Sequence, residues 1–193
     1  MKIKKKMYLY LVKREVMATN IKHAMTAKGI VYAVELAEDN STSLQVAQHA
    51  IAFFESKHIL FDAVCLLQPT NPFREKSFVD KAIEKFLHSK ADCLVSVLPI
   101  PHEYNPHWAF EENENGLLKI ATGEETIISR RQELPKAFHR DGSIYITKTE
   151  VIKNGSLYGK AIAYIESNPQ YYVNIDTMKD WAYAEYLLTQ ISL

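Results

Sequence analysis

In the stretch "VNIDTMKDW", Asn174 and Asp176 alternate with Val173 and Ile175, so an extended segment there puts both polar side chains on one face. Thr177 and Asp180 follow with the spacing of a helix capping box, and a helix is predicted from Met178 to Gln190. Oxygen-bearing side chains at such a strand end can hold a divalent cation, an amide contributing less charge than a second carboxylate. Three other stretches could carry chemistry. "LLQPTNPFR" sets Gln68, Thr70, Asn71 and Arg74 in a loop after an apolar run, at the carboxyl end of a strand, where ligands of open α/β sheets bind. A proline-stiffened turn that satisfies its own backbone accounts for the same residues. "ELAEDNSTSL" offers hydroxyls and free N–H groups at a helix N-terminus, which suits an anion or ordinary capping. "SRRQELPKAFHRDGSIYI" concentrates Arg130, Arg131, Lys136, His139 and Arg140, which suits a grip on a carboxylate or phosphate, a solvated basic face or a subunit contact.

These stretches need elements to position them. Val12 to Lys28 reads as a helix stopped by Gly29, and "IVYAV" as a strand. Ser41 or Thr42 caps a helix in "SLQVAQHAIAFFESK", whose Leu44, Ala47, Ile51 and Phe54 share a face. "DAVCLLQ" and "DCLVSVLP" are continuous apolar runs, expected for strands buried on both faces of a parallel sheet. The helix "FVDKAIEKFLHSK" between them completes a βαβ unit and argues for a layered α/β sheet. Beyond it, "PIPHEYNPHWAFEENENGLLKI" has three prolines and an Asn-Gly pair, so irregular chain leads into a β-hairpin. "GSIYITKTEVI" gives a strand and a turn of helix, and "AIAYIE" a further strand.

Composition excludes some function classes. The chain has 193 residues with 23 basic and 23 acidic side chains, a balance that calls for neither nucleic acid nor a membrane surface. Cys65 and Cys93 lie within apolar runs and read as buried thiols of a reducing compartment. No apolar run reaches the length of a membrane span, and "MKIKKKMYLYLV" is too short in its apolar core for a secretory signal, so a cytoplasmic protein is expected. Nucleophile-elbow, zinc and P-loop signatures are all missing.

Read in order, "ELAEDNSTSL", "LLQPTNPFR", "RQELPKAFHRDGSIYI" and "NIDTMKDWAYAE" together resemble the acylneuraminate cytidylyltransferases, the CMP-sialic acid synthetase family. The likeness covers residues 14–193, leaves 1–13 unmatched, and makes residues 1–193 a single domain. "RQELPKAF" followed by "GSIYI" favours this branch over the CMP-KDO synthetases. The resemblance implies an α/β fold, a Rossmann-like three-layer nucleotidyltransferase sheet, N-terminally shortened, with a β-hairpin and loop portion that serves dimerisation. It implies a cytidylyltransferase that moves CMP from CTP to a 2-keto sugar acid such as N-acetylneuraminate, with Mg²⁺ present and pyrophosphate released, working as a homodimer.

Site residues carry over one at a time. Gln68 matches the family glutamine that contacts the sugar acid, with Thr70 and Asn71 beside it as substrate-binding residues. Arg131 matches the arginine that binds the sugar carboxylate, and is counted with Asp176 as catalytic. Asp141 stands where the family usually has Asn before Gly, and is also placed in the substrate site. Asn174 and Asp176 match the family's Asp-Ile-Asp metal motif, the amide replacing its first carboxylate. The family's glycine-rich, basic loop that cradles the triphosphate has no counterpart here, since "MKIKKKMYLYLVKRE" offers lysines but no glycine. That departure supports an alternative expectation, a non-catalytic acid-sugar-binding or dimer-partner protein.

Overall fold

The computed structural model describes residues 8–12, 42–68 and 70–190. Five strands form one mixed sheet: β1 (Tyr8–Val12), β2 (Ala63–Leu67), β6 (Phe138–Lys148), β3 (Cys93–Pro99) and β7 (Ile162–Glu166), side by side in that order. The helices are α1 (Ser43–Glu55), α2 (Phe78–His88), α3 (Thr149–Lys153) and α4 (Met178–Gln190). A separate hairpin, β4 (Phe110–Glu112) and β5 (Leu118–Ile120), turns at Asn115-Gly116, where Gly116 takes a positive φ of 72°. Short 3₁₀ turns at His102–Tyr104 and Pro106–Trp108 fill the proline-rich approach.

The expectation of a parallel sheet is corrected at its centre. β2 runs antiparallel to both β1 and β6, and β6 is antiparallel to β3, while β3 and β7 are parallel. β2 and β3 therefore run parallel to each other, but β6 lies between them. Burial on both faces comes from helices above and below, which a mixed sheet shares with a parallel one. On one side Val64, Leu66, Val95, Val97 and Tyr145 pack with Val46, Ala47, Ala50 and Ile51 of α1. On the other, Ala63, Cys65, Leu67, Leu94, Ile144 and Ile146 pack with Phe78, Val79, Ala82, Ile83 and Phe86 of α2. Alternation along each strand sorts these sets, giving three layers.

Local rules account for the helix starts. Thr42 Oγ1 accepts from the Gln45 N–H at 3.2 Å while Gln45 Oε1 accepts from the Thr42 N–H at 2.9 Å, so Thr42 is the cap of α1. At α4, Thr177 Oγ1 accepts from the Asp180 N–H at 3.3 Å and Asp180 Oδ2 accepts from the Thr177 N–H at 2.7 Å. The predicted helix from Val12 and the "IVYAV" strand fall outside the described residues, except that Val12 itself ends strand β1.

Candidate functional site

A bulge at the carboxyl-terminal half of β3 organises the site. β3 and β6 pair as Val95 with Tyr145, then as Val97 with Arg140, so the β6 segment 141–144 faces Ser96 alone. Gly142 makes the bulge possible with φ +84°, a backbone region that costs other residues strain. Ser96 is the fastener: its hydroxyl accepts from the Ile144 N–H at 2.7 Å and donates to Asp141 Oδ1 at 2.5 Å.

Asp141 is the hub of the cluster. It is only 3% exposed; Oδ1 also accepts from the Ser143 N–H at 2.9 Å, and Oδ2 accepts from the Ser167 hydroxyl. One carboxylate thus joins β3, the β6 bulge and the chain leaving β7. Its oxygens are engaged by protein donors, so the residue expected in the substrate site also serves as part of the frame. Asn71 is also part of the frame, buried with Nδ2 donating to the Asp141 carbonyl at 2.8 Å.

The remaining loop residues are brought to the same place. The Ile175 N–H donates to the Thr70 carbonyl at 2.8 Å, tying the "LLQPTNPFR" loop to the "VNID" segment. Gln68 lies over the bulge, its Oε1 3.5 Å from where a Cβ on Gly142 would stand. Phe73 and Val173 pack together with Ala184 and Leu187 of α4, so the terminal helix clamps both segments. A small recess beside the hub is lined by Arg74, Glu75, Ser143, Asn168, Tyr171 and Tyr172, among others. Ser143 Oγ there is buried with no hydrogen-bond partner. Burial first, then the negative charges of Asp141, Asp176 and Asp180, pushes the Tyr172 phenol above its ordinary pKa, which places this ring within the field of both the bulge and the "VNID" segment.

Asn174 and Asp176 share a face as expected, but on irregular chain after a 3₁₀ turn (Pro169–Tyr171) rather than on a strand. The Ile175 bond to Thr70 is a loop contact, not part of a sheet ladder. Asn174 Nδ2 donates to Asp176 Oδ2 at 2.5 Å. Among the described residues no group of three or more His, Cys, Asp or Glu side chains is placed to hold a metal.

The basic stretch does not act as one unit. Arg140 Nη1 donates to the Tyr158 hydroxyl at 2.6 Å, and Arg130 pairs with Glu133 at 3.7 Å on the surface. Arg131 opens an exposed 3₁₀ turn (Arg131–Glu133), and no hydrogen bond or ion pair among the described residues engages its guanidinium. The contacts gather Gln68, Thr70, Asn71, Asp141, Asn174 and Asp176 but leave Arg131 apart from them. Sequence reasoning missed Ser96, Ser143 and Ser167. A serine inside the apolar run "CLVSVLP" was the available signal, because a buried hydroxyl needs a partner.

The sheet and the helices packed on both its faces make a Rossmann-like α/β fold. The chain is similar to 4-diphosphocytidyl-2C-methyl-D-erythritol synthase from Anaerococcus prevotii, with a TM-score of 0.51 over 93% of this chain and 80% of that one at 10% identity. In sequence it is 30% identical over 153 residues to pseudaminic acid cytidylyltransferase of Campylobacter jejuni, 79% of this chain and 65% of that protein. It is 30% identical over 158 residues to CMP-N,N'-diacetyllegionaminic acid synthase of Legionella pneumophila, 80% of this chain and 66% of that protein. It is 28% identical over 152 residues to N-acylneuraminate cytidylyltransferase A of Danio rerio, 78% of this chain and 34% of that protein. No family model matches the chain. The chain is thus homologous to the acylneuraminate cytidylyltransferase family, and it spans just under two thirds of the length of the bacterial relatives.

Proposed function

We propose that this chain serves the transfer of CMP from CTP to a 2-keto sugar acid of the sialic type, with release of pyrophosphate. The observation that carries the reading is the convergence of the Gln68 loop, the Asp141 bulge and the Asn174–Asp176 segment on one end of the sheet. In that reaction the anomeric hydroxyl oxygen of the sugar acid attacks the α-phosphorus, the bond to the bridging oxygen breaks, and the hydroxyl proton leaves to solvent or a base. Gln68 and Thr70 are the sugar-facing groups, and Arg131, which stands apart from them on an exposed turn, is assigned the sugar carboxylate on the likeness to the relatives, its planar fork suiting that group. Asn71 and Asp141 hold the loop and bulge against each other, fixing where Gln68 lies.

Asp176 would hold Mg²⁺ together with Asn174, once the amide of Asn174 turns its oxygen rather than its Nδ2 toward the carboxylate. One exposed carboxylate and one amide suit an ion that keeps several waters and takes its other ligands from substrate phosphates. Bound with the triphosphate, Mg²⁺ supplies charge neutralisation for the departing pyrophosphate. A second copy of the chain is the expected partner, a reading supported by exposed Phe110, Leu117, Leu118 and Ile127 in and beside the hairpin portion.

A second reading is acid-sugar binding without nucleotide transfer, since the gathered Gln68 and Thr70 are proposed to face the sugar acid and neither is proposed to hold the nucleotide. Pyrophosphate release from CTP, Mg²⁺ and N-acetylneuraminate or pseudaminate separates the two. Release that needs both substrates supports transfer; saturable sugar-acid binding without release supports the second reading.

A further inference from the structure

Arg74 sits where the loop and the bulge meet. Its Nη2 donates to the Gln68 carbonyl at 3.0 Å and to the Ser143 carbonyl at 2.9 Å, and its Nε donates to the same Ser143 carbonyl at 3.3 Å. Gln68 and Ser143 lie on different segments, and this guanidinium bridges them. The bridge fixes the backbone of Gln68 relative to the bulge over which its own side chain lies, 3.5 Å from the position of a Cβ on Gly142. Asn71 supports the link from the other side, its N–H donating to the Gln68 carbonyl at 3.3 Å and its amide to the Asp141 carbonyl at 2.8 Å.

We infer that Arg74 is a positioning residue that sets sugar-acid recognition by holding Gln68 in register with the Asp141–Ser143 bulge. The inference rests on the acid-sugar reading above. Arg74 acts through Gln68: three of its hydrogen bonds end on backbone carbonyls of the frame. A planar fork spans two carbonyls in a fixed geometry, whereas an ammonium on a flexible stem holds them less rigidly. Arg74→Lys therefore preserves the charge and recovers part of the effect.

A double-mutant cycle tests this, with N-acetylneuraminate as the probe and saturation-transfer NMR as the readout. Near-UV circular dichroism confirms that each variant is folded. Arg74→Gln is expected to weaken binding about tenfold, the scale of a lost charge-assisted hydrogen bond, with Arg74→Lys between it and the unmodified chain. In a Gln68→Ala background, Arg74→Gln is expected to change affinity no further. Unchanged binding by the single Arg74 variants, or losses that multiply in the double variant, would overturn the inference while leaving the acid-sugar site in place. If Arg74→Gln does not fold, the Lys variant alone decides: unaltered affinity overturns the inference, and a loss that vanishes in the Gln68→Ala background upholds it. Failure of the unmodified chain to bind the probe, or pseudaminate in its place, would overturn the acid-sugar reading and this inference together.

Discussion

The Asn174 carboxamide nitrogen donates to Oδ2 of Asp176 across 2.5 Å, so the amide offers this carboxylate its N–H and not its oxygen. A carboxylate at position 174 would instead repel Asp176 until a cation joined them. Asn174→Asp is expected to strengthen Mn²⁺ binding about tenfold, and Asp176→Ala to weaken it, because each changes the negative charge of a hard-oxygen donor set. Mn²⁺ titrations by calorimetry that coincide for all three proteins would leave this segment as a helix start and nothing more.

Asp141 holds the bulge through acceptors, and its variants separate shape from charge. Asp141→Ala leaves the Ser143 N–H without its acceptor and the Ser96 and Ser167 hydroxyls without theirs, and is expected to cost about 2 to 4 kcal/mol. Asp141→Asn keeps one carbonyl oxygen for Ser143 and Ser96 and turns an amide toward the Ser167 hydroxyl, which can accept. It is expected to cost less than about 1 kcal/mol. Urea unfolding measures both, and equal losses would contradict the acceptor account.

Both cysteines are free and buried, and burial pushes the Cys65 thiol up to about 12, with the nearby Arg74 charge opposing. Burial raises the Cys93 thiol as well. The thiolate is the reactive form, so at pH 8 Cys65 is ionised to about one part in ten thousand. Native protein is expected to react with a disulfide reagent at least about a hundredfold more slowly than urea-unfolded protein, with both thiols then modified. Rapid labelling of either cysteine in the folded chain would contradict the packing of the sheet centre.

Hydrogen bonds from Thr177, first through its hydroxyl and then its N–H, with a further one from the Asp176 N–H, hold the Asp180 carboxyl below its ordinary pKa. A depressed folded pKa means that the carboxylate contributes stability above the unfolded value of about 3.9, and that this is lost as pH falls through the folded value. Asp180→Asn should therefore be less stable than the unmodified chain at pH 7, with the difference vanishing as the pH falls through the depressed folded-state pKa. A difference that persists undiminished under acid would assign the effect to packing rather than charge.

Much of the fold was legible because its elements obey local rules. The caps at Thr42 and Thr177, the face of α1 and the Asn-Gly hairpin turn depend on neighbours within a few residues. Strand direction was not legible: an apolar run such as "AVCLL" reports burial on both faces, and helices packed on each side produce the same run in parallel and mixed sheets. The site divides in the same way. Gln68, Asn71 and Asp176 were singled out by motifs that local sequence carries, but the frame role of Asp141 depends on Ser96 and Ser167, at sequence separations of 45 and 26. Arg74 was visible as a polar loop residue, while its bridge to Ser143 spans 69 positions that no local pattern encodes.

The proposed CMP transfer to a sialic-type sugar acid would take place at the end of the sheet where Gln68, Asp141 and Asp176 are gathered. The most direct measurement is pyrophosphate release by the purified chain with CTP, Mg²⁺ and N-acetylneuraminate or pseudaminate, each component omitted in turn. Release that requires both substrates, and that falls at least about tenfold in Asp176→Ala, is the predicted result. No release with any of these acids, or release equal in Asp176→Ala, would contradict it.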